Sequence, residues 1–412
     1  MKKIGFHYFP DTDHYTAADL ARWLPRLKQL KASWVVLQAP KGRAIPEAFL
    51  QGLKAGGVEP VLHFPFDCTA APDVEGELLL FEAYARWGVK YVILFDRPNL
   101  RQNWTGADWA QSDLVERFLD AYLPLAEAAL MVGLTPVFPP LEPGGDYWDT
   151  MFLRTALEGI RRRASEPLLK RMLLSACAGF NAKPLSWGAG GPERWPEAQP
   201  YQTDRDSPDQ RGFRIADWYL TLSETILERK IPLLMLGICG PAEEGVSWED
   251  ALLEAADLLA GQENEDHEPL ADKVLGGAFW LLAAKEGSSQ EVHSWYQEDG
   301  TPKPAAERVL VGQPEAAPKF TDEYRITHYL LLPTFDWGVA DWHLEVTRAF
   351  IKKHRPTVGF SVEEARRAEE VTVLGGEDSF SPAVINELRG CGCLVRRIEG
   401  DGTNVASQLA AI

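Results

Sequence analysis

The chain has 412 residues, 45% of them hydrophobic, with a net charge of −18 at neutral pH and five cysteines. That is enough apolar material for one large core and a smaller second one. The acidic balance excludes nucleic acid and anionic membrane surfaces as partners, since both select basic surfaces. The odd, scattered cysteine set excludes a disulfide framework.

The N-terminal stretch Met1-Lys-Lys-Ile-Gly-Phe-His-Tyr-Phe-Pro enters a strand-like segment directly. It carries no apolar stretch followed by a small-residue cleavage site, so the expectation is a cytoplasmic protein, or a secreted or cell-surface one if a leader has been removed. No apolar run approaches the roughly 18–20 residues of a membrane span, which predicts no membrane insertion. From there, short apolar runs and helical periods alternate. The runs predict strands over 4–9, 33–38, 59–64, 90–95, 135–139, 172–176, 232–236 and 277–281. The periods predict helices over 17–31, 46–56, 75–87, 112–132, 150–163, 217–229 and 248–261. Eight strands alternating with helices over this length predict an α/β fold, a (β/α)8 TIM barrel over 1–312. Long Gly-, Pro- and Trp-rich segments follow strands four, five and six, the longest over 179–214. Strand-to-helix loops build the top face of such a barrel, so the elaboration lies where a ligand binds.

Residues 313–319, Gln-Pro-Glu-Ala-Ala-Pro-Lys, are without periodicity and read as a linker. Beyond it, 320–412 predicts strands over 327–332, 357–360, 371–374 and 394–398. Helices interleave with them, a small α/β domain with a parallel sheet.

The candidate site centres on Tyr91-Val-Ile-Leu-Phe-Asp96-Arg97-Pro98-Asn99. Pro98 ends the buried run, and polar side chains crowd the C-terminal end of a barrel strand. Asp96 reads as a general acid/base or as a partner of a sugar hydroxyl. Arg97 is placed to hold a neighbouring carboxylate, and Asn99 to contact substrate; a structural Asp–Arg pair closing the strand is the alternative. Glu142, between prolines after strand five, is the second catalytic candidate, because glycosidic hydrolysis needs two carboxyl groups. The alternative is a loop carboxylate capping the next helix, although Asp149 is better placed for that. Alternation points His7 and His63 to the barrel mouth. None of the His and Asp spacings is a metal signature, and neither a metal nor a cofactor is expected. The 14 tryptophans include Trp104, Trp148, Trp187 and Trp280, read as the walls of a sugar cleft or as cover for the core. Cys239 ends strand seven with no histidine placed beside it, and Gly375-Gly376 in the tail reads as a packing turn.

The stretch Gly276-Gly-Ala-Phe-Trp280, followed by Ser294-Trp-Tyr296 and Asp299-Gly-Thr-Pro-Lys-Pro304-Ala-Ala, resembles the end of a clan A glycoside hydrolase barrel. That resemblance implies a carbohydrate substrate and a Trp280 that lines the sugar subsite. In the clan, strand four ends in Asn-Glu-Pro-Asn with the glutamate as acid/base, where this chain has Asp96-Arg97-Pro98-Asn99. The clan's nucleophile position falls at Gly237 or Ile238. The expectation is therefore a glycoside hydrolase using carboxylates outside the clan positions. The alternatives are a polysaccharide-binding or scaffold protein without catalysis, or a barrel enzyme of other chemistry such as a lyase. In the tail, Val371-Thr-Val-Leu-Gly-Gly376, Ser381-Pro-Ala-Val-Ile and Val395-Arg-Arg-Ile-Glu-Gly400 are similar to one unit of the type 2 cell-wall-binding repeat, which implies a weak cell-surface association.

Overall fold

The structure, a computed structural model, describes residues 3–198, 209–262, 267–311, 326–335 and 340–410. The chain divides into two compact units, Met1–Gly312 and Gln313–Ile412. The linker read at 313–319 lies outside the described residues.

The first unit is a TIM barrel. Its strands are β1 (Lys3–His7), β2 (Trp34–Gln38), β3 (Glu59–Phe64), β4 (Tyr91–Leu94), β5 (Thr135–Val137), β6 (Leu174–Cys177), β7 (Leu233–Ile238) and β8 (Val274–Phe279). All neighbours pair in parallel, in the order β5-β4-β3-β2-β1-β8-β7-β6. The ring closes between β5 and β6 through the single bridge of Val137 with Leu173. The seam is thin for a covalent reason: Pro136 accepts from the Leu173 amide but has no N–H to return.

Alternation sorts the strand residues to two destinations. Phe6, Val35, Leu37, Leu62, Val92 and Leu94 join the large core shared with the surrounding helices. Trp34, Val36, Val61, Ile93, Val137, Leu234, Leu236 and Ala278 fill the lumen. Period two then fixes the top of the barrel: two residues beyond Gly5, Val36, Val61 and Ala278 come His7, Gln38, His63 and Trp280. Gly5 is required at the base. A Cβ there would lie 2.3 Å from the Trp34 ring, which occupies the space.

Local signals set the helix ends. Thr16 and Asp19 form a reciprocal capping box at the start of the helix Ala17–Gln29. The helix Glu47–Ala55 follows Pro46 and stops at Gly56, with Gly57 at φ +83°. Among the described residues, three α-helices of the first unit lie outside the expected ranges, Gly106–Trp109, Glu166–Arg171 and Pro304–Val311; Glu166–Arg171 is capped by the Ser165 side chain. Its six residues are too few to show a helical period.

The second unit has a four-stranded parallel sheet of β9 (Ile326–Leu331), β10 (Thr357–Gly359), β11 (Ala368–Leu374) and β12 (Leu394–Ile398), in the order β10-β9-β11-β12. Tyr329, Leu331, Val371 and Val373 pack with Ile385 and Leu388 on one side. Leu330, Leu332 and Leu374 pack with Phe350, Val405 and Leu409 on the other. Burial on both faces is confined to the inner strands β9 and β11, whose ends Tyr329–Leu331 and Val371–Leu374 are fully buried, while β10 and β12 are edge strands with exposed positions.

A Gly5→Ala change should destabilise the barrel by about 1–3 kcal/mol, the usual cost of overpacking. Pairing it with Trp34→Leu should return part of the loss. Urea unfolding of the two variants checks this, and equal midpoints for parent and Gly5→Ala would show that the ring moves freely.

Candidate functional site

The mouth of the barrel holds a cavity of about 370 Å³. Its floor and walls include His7, Gln38, His63, Asp96, Arg97 and Glu142, with Trp280 and Gln290 on one side and Cys177 and Cys239 on another.

The end of β4 has a constrained backbone. Phe95 and Arg97 take left-handed φ values of +66° and +41°, each costing a non-glycine residue about 1–3 kcal/mol unless its surroundings impose it. The surroundings do. The Arg97 amide donates to the Pro140 carbonyl at 3.0 Å. The Asn103 amide donates to the Asp96 and Arg97 carbonyls at 3.0 and 2.8 Å, and the Trp104 indole to the Pro98 carbonyl at 2.7 Å. Asn99 ties this loop to the next one. Its Nδ2 donates to the Glu142 and Tyr147 carbonyls, and its Oδ1 accepts from the Glu142 amide, all within 2.9 Å.

These bonds bring two carboxylates to one guanidinium. Arg97 Nε and Nη2 donate to Asp96 Oδ2 at 3.2 and 3.0 Å, and Nη1 donates to Glu142 Oε2 at 3.4 Å. The three side chains are 30–40% exposed, so solvent screens the pairs. Burial works against the Arg97 charge; Asp96, by its charge and its hydrogen bond, outweighs burial and raises the pKa. Contacts on one guanidinium bound the two carboxylate oxygens within roughly 9 Å, inside the spread of about 5–9.5 Å between paired carboxyls in glycosidases.

Glu142 has a second anchor further along its loop. Asp149, wholly buried, accepts from the Gly144 amide at 2.9 Å, from Gln210 at 2.7 Å and from the Tyr219 hydroxyl at 3.0 Å. Burial pushes its carboxyl above the usual range, against those three bonds. Asp149 therefore does not cap the helix Asp149–Arg163 that it opens; it pulls the Glu142 turn onto the barrel.

The two histidines hold opposite tautomers. His7 Nε2 accepts from the Gly237 amide at 3.2 Å, which leaves its proton on Nδ1. His63 Nε2 lies 2.9 Å from the Phe95 carbonyl, so that nitrogen carries the proton. Burial first, then the charges of His63 and Arg97, lower the His7 pKa to about 3, so His7 is neutral. Burial, with the Glu142 charge, pushes the Cys239 thiol up to about 11, so it is no nucleophile at neutral pH. Burial raises Cys177 further.

The structure thus brings together Asp96, Glu142, Arg97, His7, His63 and Trp280. It does not bring the other tryptophans to this cavity. Trp104 is 8% exposed in the core. Trp148 stands at the start of its helix. Trp187 is spent on its own loop: the indole donates to the Asp209 carbonyl at 2.9 Å, Lys183 lies 4.0 Å over the ring, and Trp195 packs beside it. Asn99 is fully buried between two loops, so it shapes the site and does not face a ligand. Gln38, Gln290, Asn181 and Cys177 line the cavity without having been singled out from the sequence. Gln38 was findable, since it lies two residues beyond Val36 on the lumen face. Gly237 takes φ +61°, and Glu243 and Glu244 are exposed, outside the cavity. Among the described residues no group of three His, Cys, Asp or Glu side chains is placed to hold a metal ion, and no helix is long and apolar enough to cross a membrane.

His7 gives a pH test. Its pKa is lower in the folded chain than in the unfolded one, so protons bind the unfolded state preferentially between about pH 6.5 and about pH 3. Its neutral-form stability is complete above that window and is lost as pH falls through it. His7→Gln should lose less stability than the parent between about pH 7 and about pH 5, by about 2 kcal/mol. Parallel stability curves in urea would mean that His7 titrates as an exposed histidine.

No family model matches this sequence, and no curated protein matches it. Among solved structures the chain is similar to a family 39 glycoside hydrolase from the gut symbiont Bacteroides cellulosilyticus WH2, at 10% identity and TM-score 0.47, over 75% of this chain and 62% of that one. It is similar to a GH5_18 from Bifidobacterium longum subsp. infantis, at 13% identity and TM-score 0.48, over 99% of both chains. It is also similar to GH5_18 from Streptomyces cattleya in complex with GlcNAc, at 12% identity and TM-score 0.48, over 98% of this chain and 99% of that one. These structural neighbours are glycoside hydrolases, but likenesses of this size carry no argument about chemistry, which rests on this chain's own residues.

Proposed function

We propose that the barrel mouth is a carbohydrate site and that Asp96 and Glu142 are the carboxyl pair of an O-glycosyl hydrolase. The observation that carries this is the convergence of the two carboxylates, from adjacent strand ends, on one guanidinium inside one cavity. The environment suits a sugar. Trp280 offers a ring face, and Gln38, Gln290 and the His7 Nδ1–H offer neutral partners for hydroxyls.

The two carboxyls are not equivalent. Asp96 is pinned through two donors to one oxygen and is the fixed negative charge that faces an oxocarbenium-like transition state. Glu142 has one contact, at 3.4 Å, and is the group free to exchange a proton. By the resemblance to clan A barrels, Arg97 takes the place of the acid and Gly237 or Ile238 that of the nucleophile, so the roles fall to different positions. No metal or cofactor is invoked. Residues 313–319 are read as a connector and 320–412 as an accessory unit, whose likeness to a cell-wall-binding repeat points to weak surface attachment.

The second reading, a barrel that binds carbohydrate without cleaving it, is favoured by one observation: Arg97 donates to both carboxylates at once. Turnover separates the two. Asp96→Asn and Glu142→Gln should each lower hydrolysis of oligosaccharides by at least about 10²-fold, the low end for a positioned acid–base group. Calorimetric binding should survive, because Trp280 is untouched. A parent that binds and never cleaves supports the second reading. Full activity in both variants rules the pair out.

A further inference from the structure

We infer that the ligand of this site is a neutral sugar chain, held on both sides of Asp96, and not a single terminal unit. The inference rests on the carbohydrate reading above and extends it.

Asp96 is a wall between two spaces. On one side is the mouth cavity, which also contains Glu142. On the other is a groove of about 430 Å³ over the ends of β3 and β4, with Asp96 at one end and Asp67, Gln102 and Trp104 along it. Glu142 does not reach this groove. Beyond it, sharing Lys41, Phe66 and Asp67, is a third cavity of about 240 Å³ that adds Asp73 and Glu77 over the buried Phe64 and Phe95. The three spaces adjoin through shared lining residues, and Asp96 stands where the first two meet, so a chain that passes it occupies both.

The row is preformed. Phe66 stacks on Phe64 at 5.5 Å and meets Phe95 edge-on at 5.5 Å. Trp104 is anchored by its indole to the Pro98 carbonyl. The loop after β3 is braced by Asp67, which accepts from the Thr69 amide at 2.8 Å and from its hydroxyl at 2.7 Å. A groove that needs no ordering loses little affinity on binding. Its lining sets the half-buried Phe66 ring beside side-chain amide and carboxylate groups, which meet a ring face and its hydroxyls. Its charge selects the class. Asp67, Asp73, Glu77, Asp96 and Glu142 line the row against Lys41 and Arg97, an acidic excess that disfavours an anionic chain by like-charge repulsion.

The test is calorimetric titration of the full chain with neutral gluco-, manno-, galacto- and xylo-oligosaccharides, from disaccharide to hexasaccharide, and with oligogalacturonides as the anionic control. In the series that binds best, affinity should rise at least about tenfold from disaccharide to hexasaccharide, the effect of one further well-made contact. Gln102→Trp and Lys41→Trp, both at exposed positions, should fill the groove. They should abolish that rise and leave disaccharide affinity and melting temperature unchanged. A flat length series, or an unchanged rise in both variants with disaccharide binding intact, overturns the groove and leaves the carbohydrate reading standing. Preference for oligogalacturonides overturns the neutral class. Binding of no sugar in the panel overturns this inference together with the reading beneath it.

Discussion

Arg97 lies between Asp96 and Glu142, and most of the surrounding bonds keep it there. Left to itself, a non-glycine residue at φ +41° relaxes into an ordinary conformation. Here the Pro140 carbonyl takes its amide, and Asn103 takes its carbonyl. Asn99 then fixes the Glu142 backbone at both its amide and its carbonyl. The charges follow from the backbone: once the two loops are stapled, a carboxylate from each reaches one guanidinium. A site built this way is stiff before any ligand arrives. Positioning is a large part of what a barrel enzyme contributes to its reaction.

The barrel supplies the rest through parity. Trp34 fills the base of the lumen only because Gly5 has no side chain. The same period that stacks Val36, Val61 and Ala278 delivers Gln38, His63 and Trp280 to the top. His7 shows how one layer serves both purposes. It is buried enough to stay neutral, and its bond from Gly237 leaves a single donor to face the cavity.

Periodicity made the barrel legible, because strands buried on both faces leave short apolar runs, and the alternation of strand-like and helical segments did the same for the second parallel sheet. It also placed His7 and His63, whose position depends only on counting by twos. Of the four tryptophans read as cleft walls, only Trp280 reaches the mouth cavity. An indole beside glycine and proline reads as a cleft wall, yet its N–H needs a partner, and in Trp104 and Trp187 that partner is a backbone carbonyl of the loop itself. Asn99 misled in a related way. It belongs to a polar cluster at a strand end, and only the three-dimensional return of the Glu142 loop makes it a staple. Asp149 acts through Gln210 and Tyr219, more than 60 residues away in sequence, so no local pattern announces it.

The central claim is that a glycosidic bond lies between Asp96 and Glu142. The direct measurement is a crystal structure of the Glu142→Gln protein soaked with the oligosaccharide that binds it best. The account predicts a sugar ring against Trp280, with the bond's oxygen within hydrogen-bonding distance of residue 142 and Asp96 on the other side of the ring. A ligand bound away from both side chains, with the Arg97 contacts to Asp96 undisturbed and the mouth cavity empty, would contradict it.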